Sequence, residues 1–147
     1  MGADLYLNSA FEPQRQKWEP KFEKAAAARD AAPDGPSREA AQQRVEYCYD
    51  QMFARGYFRD SYNDSNLLWK FGLSWWGDVI PMLDHSLLSP AQTLRLLAMM
   101  DERQGEFDRA VAALSIEEQT YFREKAAELR AFLREASTRG ESIDCSL

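Results

Sequence analysis

The sequence has little of the chemistry on which metal sites and many enzymes depend. Its 147 residues include one histidine, His85, and two cysteines, Cys48 and Cys145, which form no CxxC pair. Structural zinc sites need about four Cys or His ligands, and di-iron helical bundles need a pair of Glu-x-x-His motifs. Neither set can be assembled here, so we expect no metal and no cofactor. A glycine-rich phosphate loop and a nucleophile elbow are also missing.

Long apolar runs and a basic surface are missing as well. No apolar run approaches the roughly 20 residues of a transmembrane helix, and the opening MGADLYLNSAFEP lacks the basic and apolar stretches of a secretory signal. The net charge is -6, and both signs are scattered along the chain. We therefore expect an acidic, cytoplasmic protein that binds neither nucleic acid nor a membrane. Two distant, unpaired cysteines fit a reducing compartment.

Helical periodicity is what the sequence has in quantity. Apolar residues recur at helical spacing over residues 11–32 and again over residues 36–55, which predicts two helices separated by a proline- and glycine-containing turn. Cys48 takes a core-facing position in the second of these helices, which predicts packing and not reactivity. His85 falls between helical segments and is predicted to lie in a surface loop.

Two cap signals start the helices of the second half. Ser89 is followed by a proline and by Gln92, and Ser115 is followed by Glu118, so each serine predicts a helix N-cap. The first of these helices is predicted to continue to Val111, with Gly105 as the place where it can break. The second is predicted to end before Gly140.

The predicted fold class is all-α, a single-domain bundle of about five helices over residues 1–147. Residues 1–10 are predicted to form a short extended N-terminal arm, because Leu5 and Leu7 alternate with polar residues. This arm has no evident strand partner. Residues 141–147 are predicted to be a flexible C-terminal tail.

Residues 59–79, RDSYNDSNLLWKFGLSWWGDV, are unlike the rest of the chain and contain three of its four tryptophans. On a helical wheel, residues 66–82 leave only a narrow polar stripe, which predicts a central helix packed on several sides. Pro81 has no amide hydrogen and clashes with the carbonyl of Gly77, so a kink is predicted between these two residues.

The polar run 60–66 that precedes this helix has two interpretations. In the first, its side chains cap the helix, with Ser65 or Asn66 as the N-cap. In the second, a small polar ligand binds in a pocket formed by the run and by the helix of Trp69, Trp75 and Trp76. The candidate ligand-binding residues are Tyr57, Arg59, Asp60, Tyr62, Asn63, Asp64, Asn66, Trp69 and Trp76.

Two functions follow from these interpretations. The chain has no recognisable catalytic residues. The first function is therefore that of a small helical protein that acts by binding a protein partner or by self-association as a homo-oligomer. Its support is an aromatic content of 12%, more than a core of this size needs. The alternative is a polar-ligand pocket, with or without enzymatic activity, at residues 60–76.

Overall fold

The computed structural model describes residues 2–61 and 66–147, and these are mainly helical. The α-helices are α1 (Asn8–Ala31), α2 (Pro36–Met52), α3 (Leu67–Lys70), α4 (Pro90–Glu102), α5 (Gln104–Ala112) and α6 (Ile116–Arg139). A π-helical turn (Trp75–Val79) and a 3-10 turn (Ile80–Met82) lie between α3 and α4. The strands are β1 (Gly2–Tyr6), β2 (Tyr57–Ser61), β3 (Leu87–Leu88) and β4 (Ile143–Ser146).

The predicted helical character is confirmed, but the all-α class is wrong, because the strands form a four-stranded sheet in the order β2-β1-β4-β3. β1 pairs antiparallel with β4, so that Leu5 faces Cys145, and β3 pairs antiparallel with β4, so that Leu88 faces Ile143. All four of these side chains are buried. The sheet thus joins segments from opposite ends of the chain.

Both ends of the chain form strands of the sheet, although an extended conformation was predicted only for the N-terminal end. Of the extended arm predicted over residues 1–10, Gly2–Tyr6 forms β1, with strand partners that no local pattern indicated, whereas residues 8–10 already belong to α1. The tail 141–147 is not a free end, because β4 lies inside the sheet between β1 and β3. Ile143 and Cys145 alternate with polar residues over four positions, which is too short a pattern to be recognised without its partners.

The predicted caps are confirmed. The Ser89 hydroxyl accepts a hydrogen bond from the Gln92 amide at the start of α4, and Ser115 and Glu118 form a reciprocal capping box at the start of α6. Gly140 ends α6 in the left-handed conformation. The break predicted near Gly105 falls two residues earlier, where Arg103 separates α4 from α5.

The described residues group into two compact units. The first, which we call the body, is Phe58–Leu147 together with residues 2–7, and the second, the hairpin, is Asn8–Tyr57. The single-domain organisation over residues 1–147 stays a prediction.

The body has an extensive core. Twenty-four of its described residues form one buried apolar cluster, in which Phe71 stacks on Phe107 with ring centroids 4.4 Å apart. The hairpin consists of α1 and α2 packed on each other. Its buried cluster is small: Ala25, Val45 and Cys48, with three partly buried residues against them. No helix in the described part of the chain is both long and apolar enough to cross a membrane.

Candidate functional site

The tryptophan segment does not form the long helix predicted for residues 66–82. α3 ends after Lys70, and Gly72 takes the left-handed conformation with φ 67°. The Leu73 amide donates to the Leu68 carbonyl at 3.0 Å and the Gly72 amide donates to that of Trp69 at 2.9 Å. These two bonds form a Schellman motif, which ends a helix at a glycine. The chain therefore turns at Gly72, five residues before the predicted kink began.

Asp60 connects three parts of this segment. Its Oδ1 accepts hydrogen bonds from the backbone amides of Ser61 and Leu67, at 2.9 and 3.0 Å. Its Oδ2 accepts from the Leu68 amide at 3.3 Å and from the indole Nε1 of Trp75 at 2.9 Å. The carboxylate thus links the end of β2, the start of α3 and the side chain of a buried tryptophan. Charge-assisted bonds of this kind are among the stronger ones in proteins.

Two further polar residues cap the short helical elements. Asn66 is 3% exposed; its Oδ1 accepts from the Trp69 amide and its Nδ2 donates to the Ser61 carbonyl, both at 2.7 Å. Asn66 is therefore the N-cap, as the first interpretation predicted. At the π-helical turn, the Ser74 hydroxyl accepts from the Gly77 amide at 2.9 Å and the Ser74 amide donates to the Asp78 carboxylate at 2.8 Å.

These turns give the three tryptophans different environments. Trp75 is 1% exposed, whereas Trp69 is 53% and Trp76 is 62% exposed. The prediction of a central helix packed on several sides is therefore wrong for two of the three. The reason is geometric: a helical wheel assigns faces only within one continuous helix. Here a left-handed glycine separates two short elements, so their side chains do not follow one common wheel.

A cavity of about 570 Å³ adjoins the Asp60 network. This volume is within the range of roughly 300–1,000 Å³ of small-molecule sites. Three predicted site residues line it, namely Arg59, Asp60 and Asn66, while Trp69 and Trp76 are not among the described residues of its wall. The remaining described lining residues are Ser61, Leu67, Glu118, Tyr121, Phe122 and Lys125.

The charges of this cavity are balanced. Arg59 lies 3.7 Å from the Asp4 carboxylate, and Lys125 lies 3.7 Å from that of Glu128. The Lys125 ammonium also lies 4.9 Å from the centre of the Phe58 ring, a cation–π contact. With two cationic and two carboxylate groups in its described wall, the cavity suits a small neutral or zwitterionic molecule better than an ion of one sign.

The other predicted site residues are placed elsewhere or lie outside the described residues. Tyr57 belongs to the hairpin, where its ring contacts those of Phe53 and Phe11 at 4.8 and 6.2 Å. Tyr62, Asn63 and Asp64 lie outside the described residues. Sequence reasoning missed the contribution of α6 to the cavity wall, because only a tertiary contact brings α6 to β2 and α3.

Reactive groups are scarce among the described residues. No three His, Cys, Asp or Glu side chains in ranges 2–61 and 66–147 gather closely enough to hold a metal ion. Cys48 is buried in the hairpin, as predicted. Burial raises the pKa of the Cys145 thiol to about 12, and the nearby Asp144 carboxylate adds to this effect. His85 lies in an exposed turn, with its Nδ1 2.6 Å from the Asp84 carboxylate.

No family model, curated protein or solved structure matches the chain. What the site can do is therefore inferred from its geometry.

Proposed function

We propose that the protein acts by binding another protein, and that Trp69 and Trp76 anchor the contact. The observation that carries this proposal is the contrast between two neighbouring residues: Trp75 is 1% exposed and Trp76 is 62% exposed. A buried tryptophan is explained by the core. A largely exposed one keeps a large apolar surface in water, and tryptophan is enriched among the residues that dominate binding energy at protein interfaces.

The backbone that presents these side chains is fixed by hydrogen bonds. The Trp69 amide is bonded to Asn66, and Trp76 lies between Trp75, which is tied to Asp60, and Gly77, which is tied to Ser74. A side chain on a fixed backbone loses less conformational entropy when it binds than one on a mobile loop. The polar residues around the tryptophans thus serve the proposed function by holding the segment in place.

The experiment uses the whole protein as bait, immobilised in four forms: wild type, Trp69→Ala, Trp76→Ala and Leu94→Ala. Leu94 is the matched control, because it is 54% exposed and lies on α4, away from the tryptophan segment in sequence. Proteins retained by wild type and by the control, but lost with either tryptophan variant, are then purified and titrated against each form. We expect Trp76→Ala to raise the dissociation constant about 30-fold, which corresponds to a loss of about 2 kcal/mol in binding free energy.

Two results would overturn the proposal. One is that the same proteins are retained by all four baits. The other is that a retained protein, once purified, binds wild type and both tryptophan variants with equal affinity. Circular dichroism of each bait establishes beforehand that loss of binding is not loss of folding.

A second function is favoured by the cavity beside Asp60. Its balanced charges and the Tyr121 and Phe122 rings suit a small zwitterion such as a free amino acid. A thermal-shift screen against the common amino acids tests this alternative, with Tyr121→Ala and Lys125→Ala as variants. The alternative predicts a ligand that raises the melting temperature of wild type but not of these variants. A screen with no shift for wild type contradicts it.

A further inference from the structure

The hairpin carries a continuous row of aromatic side chains. Successive ring contacts join Phe22 to Tyr49 at 5.9 Å, Tyr49 to Phe53 at 5.0 Å and Phe53 to Tyr57 at 4.8 Å, and Phe11 contacts both of the last two. We call these five residues the aromatic row. Tyr49, in its middle, is 50% exposed. Tyr47, which packs edge-on against Trp18, is 49% exposed.

The buried apolar core of the hairpin itself is small. Among its residues, all of which are described, the buried apolar side chains are Phe11, Ala25, Val45, Cys48 and Met52. α1 also contains Pro13 and Pro20 within its length. An interior proline removes a backbone hydrogen bond and clashes with the preceding turn, so α1 depends on side-chain packing more than an ordinary helix does. Two helices alone provide only one packed face.

The hairpin differs from the rest of the chain in its net charge. Residues 8–57 contain eight basic and eight acidic side chains, so the net charge of -6 comes entirely from outside them. Two copies of this protein repel each other through their net charge, but the hairpin adds nothing to that repulsion. Contact between identical chains is therefore opposed less by charge repulsion at the hairpin than at the acidic remainder of the chain.

We propose that the hairpin is a self-association surface, and that its occupant is the hairpin of a second copy of this chain. Two helical hairpins that pair about a two-fold axis form a four-helix arrangement, in which each presents the same surface to the other. Tyr49 and the partly exposed rings of Phe22 and Phe53 beside it then pack on the same residues of the second copy, with the offset and edge-to-face contacts that aromatic rings favour. This inference rests on different residues from the Trp69 and Trp76 contact and does not depend on it.

The test is sedimentation equilibrium of the full chain from about 1 μM to about 500 μM, a range that reveals dissociation constants in the micromolar region. Wild type is compared with Tyr49→Glu, which places a charge in the row, and with the control Leu94→Glu, an equally exposed body residue. We expect wild type and Leu94→Glu to dimerise, and Tyr49→Glu to weaken dimerisation at least about tenfold. Tyr49→Ala, the milder change, is measured alongside in case the charged variant unfolds.

A wild-type protein that stays monomeric throughout this range overturns the inference. So does a dimer that both Tyr49 variants leave intact, and so does a dimer that is lost with Trp76→Ala but retained with Tyr49→Glu. The last result would assign self-association to the tryptophans, and would leave the proposed function standing while removing the hairpin surface.

Discussion

The body and the hairpin are both mainly helical and both rich in aromatic residues, but they are held together differently. The body buries twenty-four residues in one cluster and adds a hydrogen-bond network around Asp60. The hairpin buries five apolar side chains and leaves two aromatic ones, Tyr47 and Tyr49, about half exposed. Free energy gained by burial scales with the apolar area removed from water, so stability should be concentrated in the body. The exposed aromatic residues of the body lie outside a core that is already complete, whereas those of the hairpin border a core that is incomplete.

Trp75→Ala should have the largest effect, because it removes the largest fully buried side chain of the body core. We expect the free energy of unfolding to fall by about 4 kcal/mol, as for other buried aromatic residues changed to alanine. Urea denaturation followed by circular dichroism measures it. Trp75→Phe is the control, since it keeps a ring but loses the bond to Asp60. A loss below about 1 kcal/mol for Trp75→Ala would mean that the body core is not where stability lies.

Asp60→Ala should rank second. It leaves three backbone amides and the Trp75 indole without their acceptor, and we expect a loss of about 3 kcal/mol in the free energy of unfolding. Asp78→Ala is the matched control, because Asp78 accepts from the Ser74 amide and should lose only about 1 kcal/mol. Equal losses for the two variants would contradict the view that Asp60 organises the segment.

Cys145, in the body, makes a pH-dependent contribution to the stability of the protein. Its pKa is raised from 9.0 to about 12 in the folded protein, so the unfolded chain loses the thiol proton first as pH rises. The stability contributed by the buried thiol is therefore complete below pH 9 and is lost between pH 9 and 12. In that window wild type should lose about 1.4 kcal/mol per pH unit more than Cys145→Ala. Parallel stability curves for the two proteins would show that the thiol is not buried as described.

Trp76→Ala and Trp69→Ala should have the smallest effect on stability. Both side chains are more than half exposed, and substitutions at such positions usually change the free energy of unfolding by about 0.5 kcal/mol or less. The same urea titrations measure this effect. A loss above about 2 kcal/mol from either variant would place that tryptophan in the structural core and remove the main support for the proposed binding role.

Whether a feature could be predicted from the sequence depends on how far apart along the chain its interacting residues lie. Caps at Ser89 and Ser115 depend on residues three positions away, and they were predicted correctly. β4 was missed because its partners are β1, at the opposite end of the chain, and the two-residue β3. A pattern of four residues cannot show such pairings.

The site was predicted in part for the same reason. The role of Asn66 as a cap is local and was foreseen, whereas the bond from Asp60 to Trp75 spans fifteen residues and was not. The left-handed Gly72 was overlooked, because a glycine inside an apolar helical pattern is often tolerated. That one turn decides which tryptophans are buried and which are exposed.

The contrast between body and hairpin is tested most directly by the chain's own two cysteines, since Cys48 lies in the hairpin, Cys145 lies in the body, and both are free and buried. Each thiol reacts with a disulfide reagent such as DTNB only when its surroundings open. In native, dilute protein we predict that Cys48 reacts at least about ten times faster than Cys145, and that its rate falls as protein concentration rises. Equal rates for the two thiols, or faster reaction of Cys145, would contradict the account.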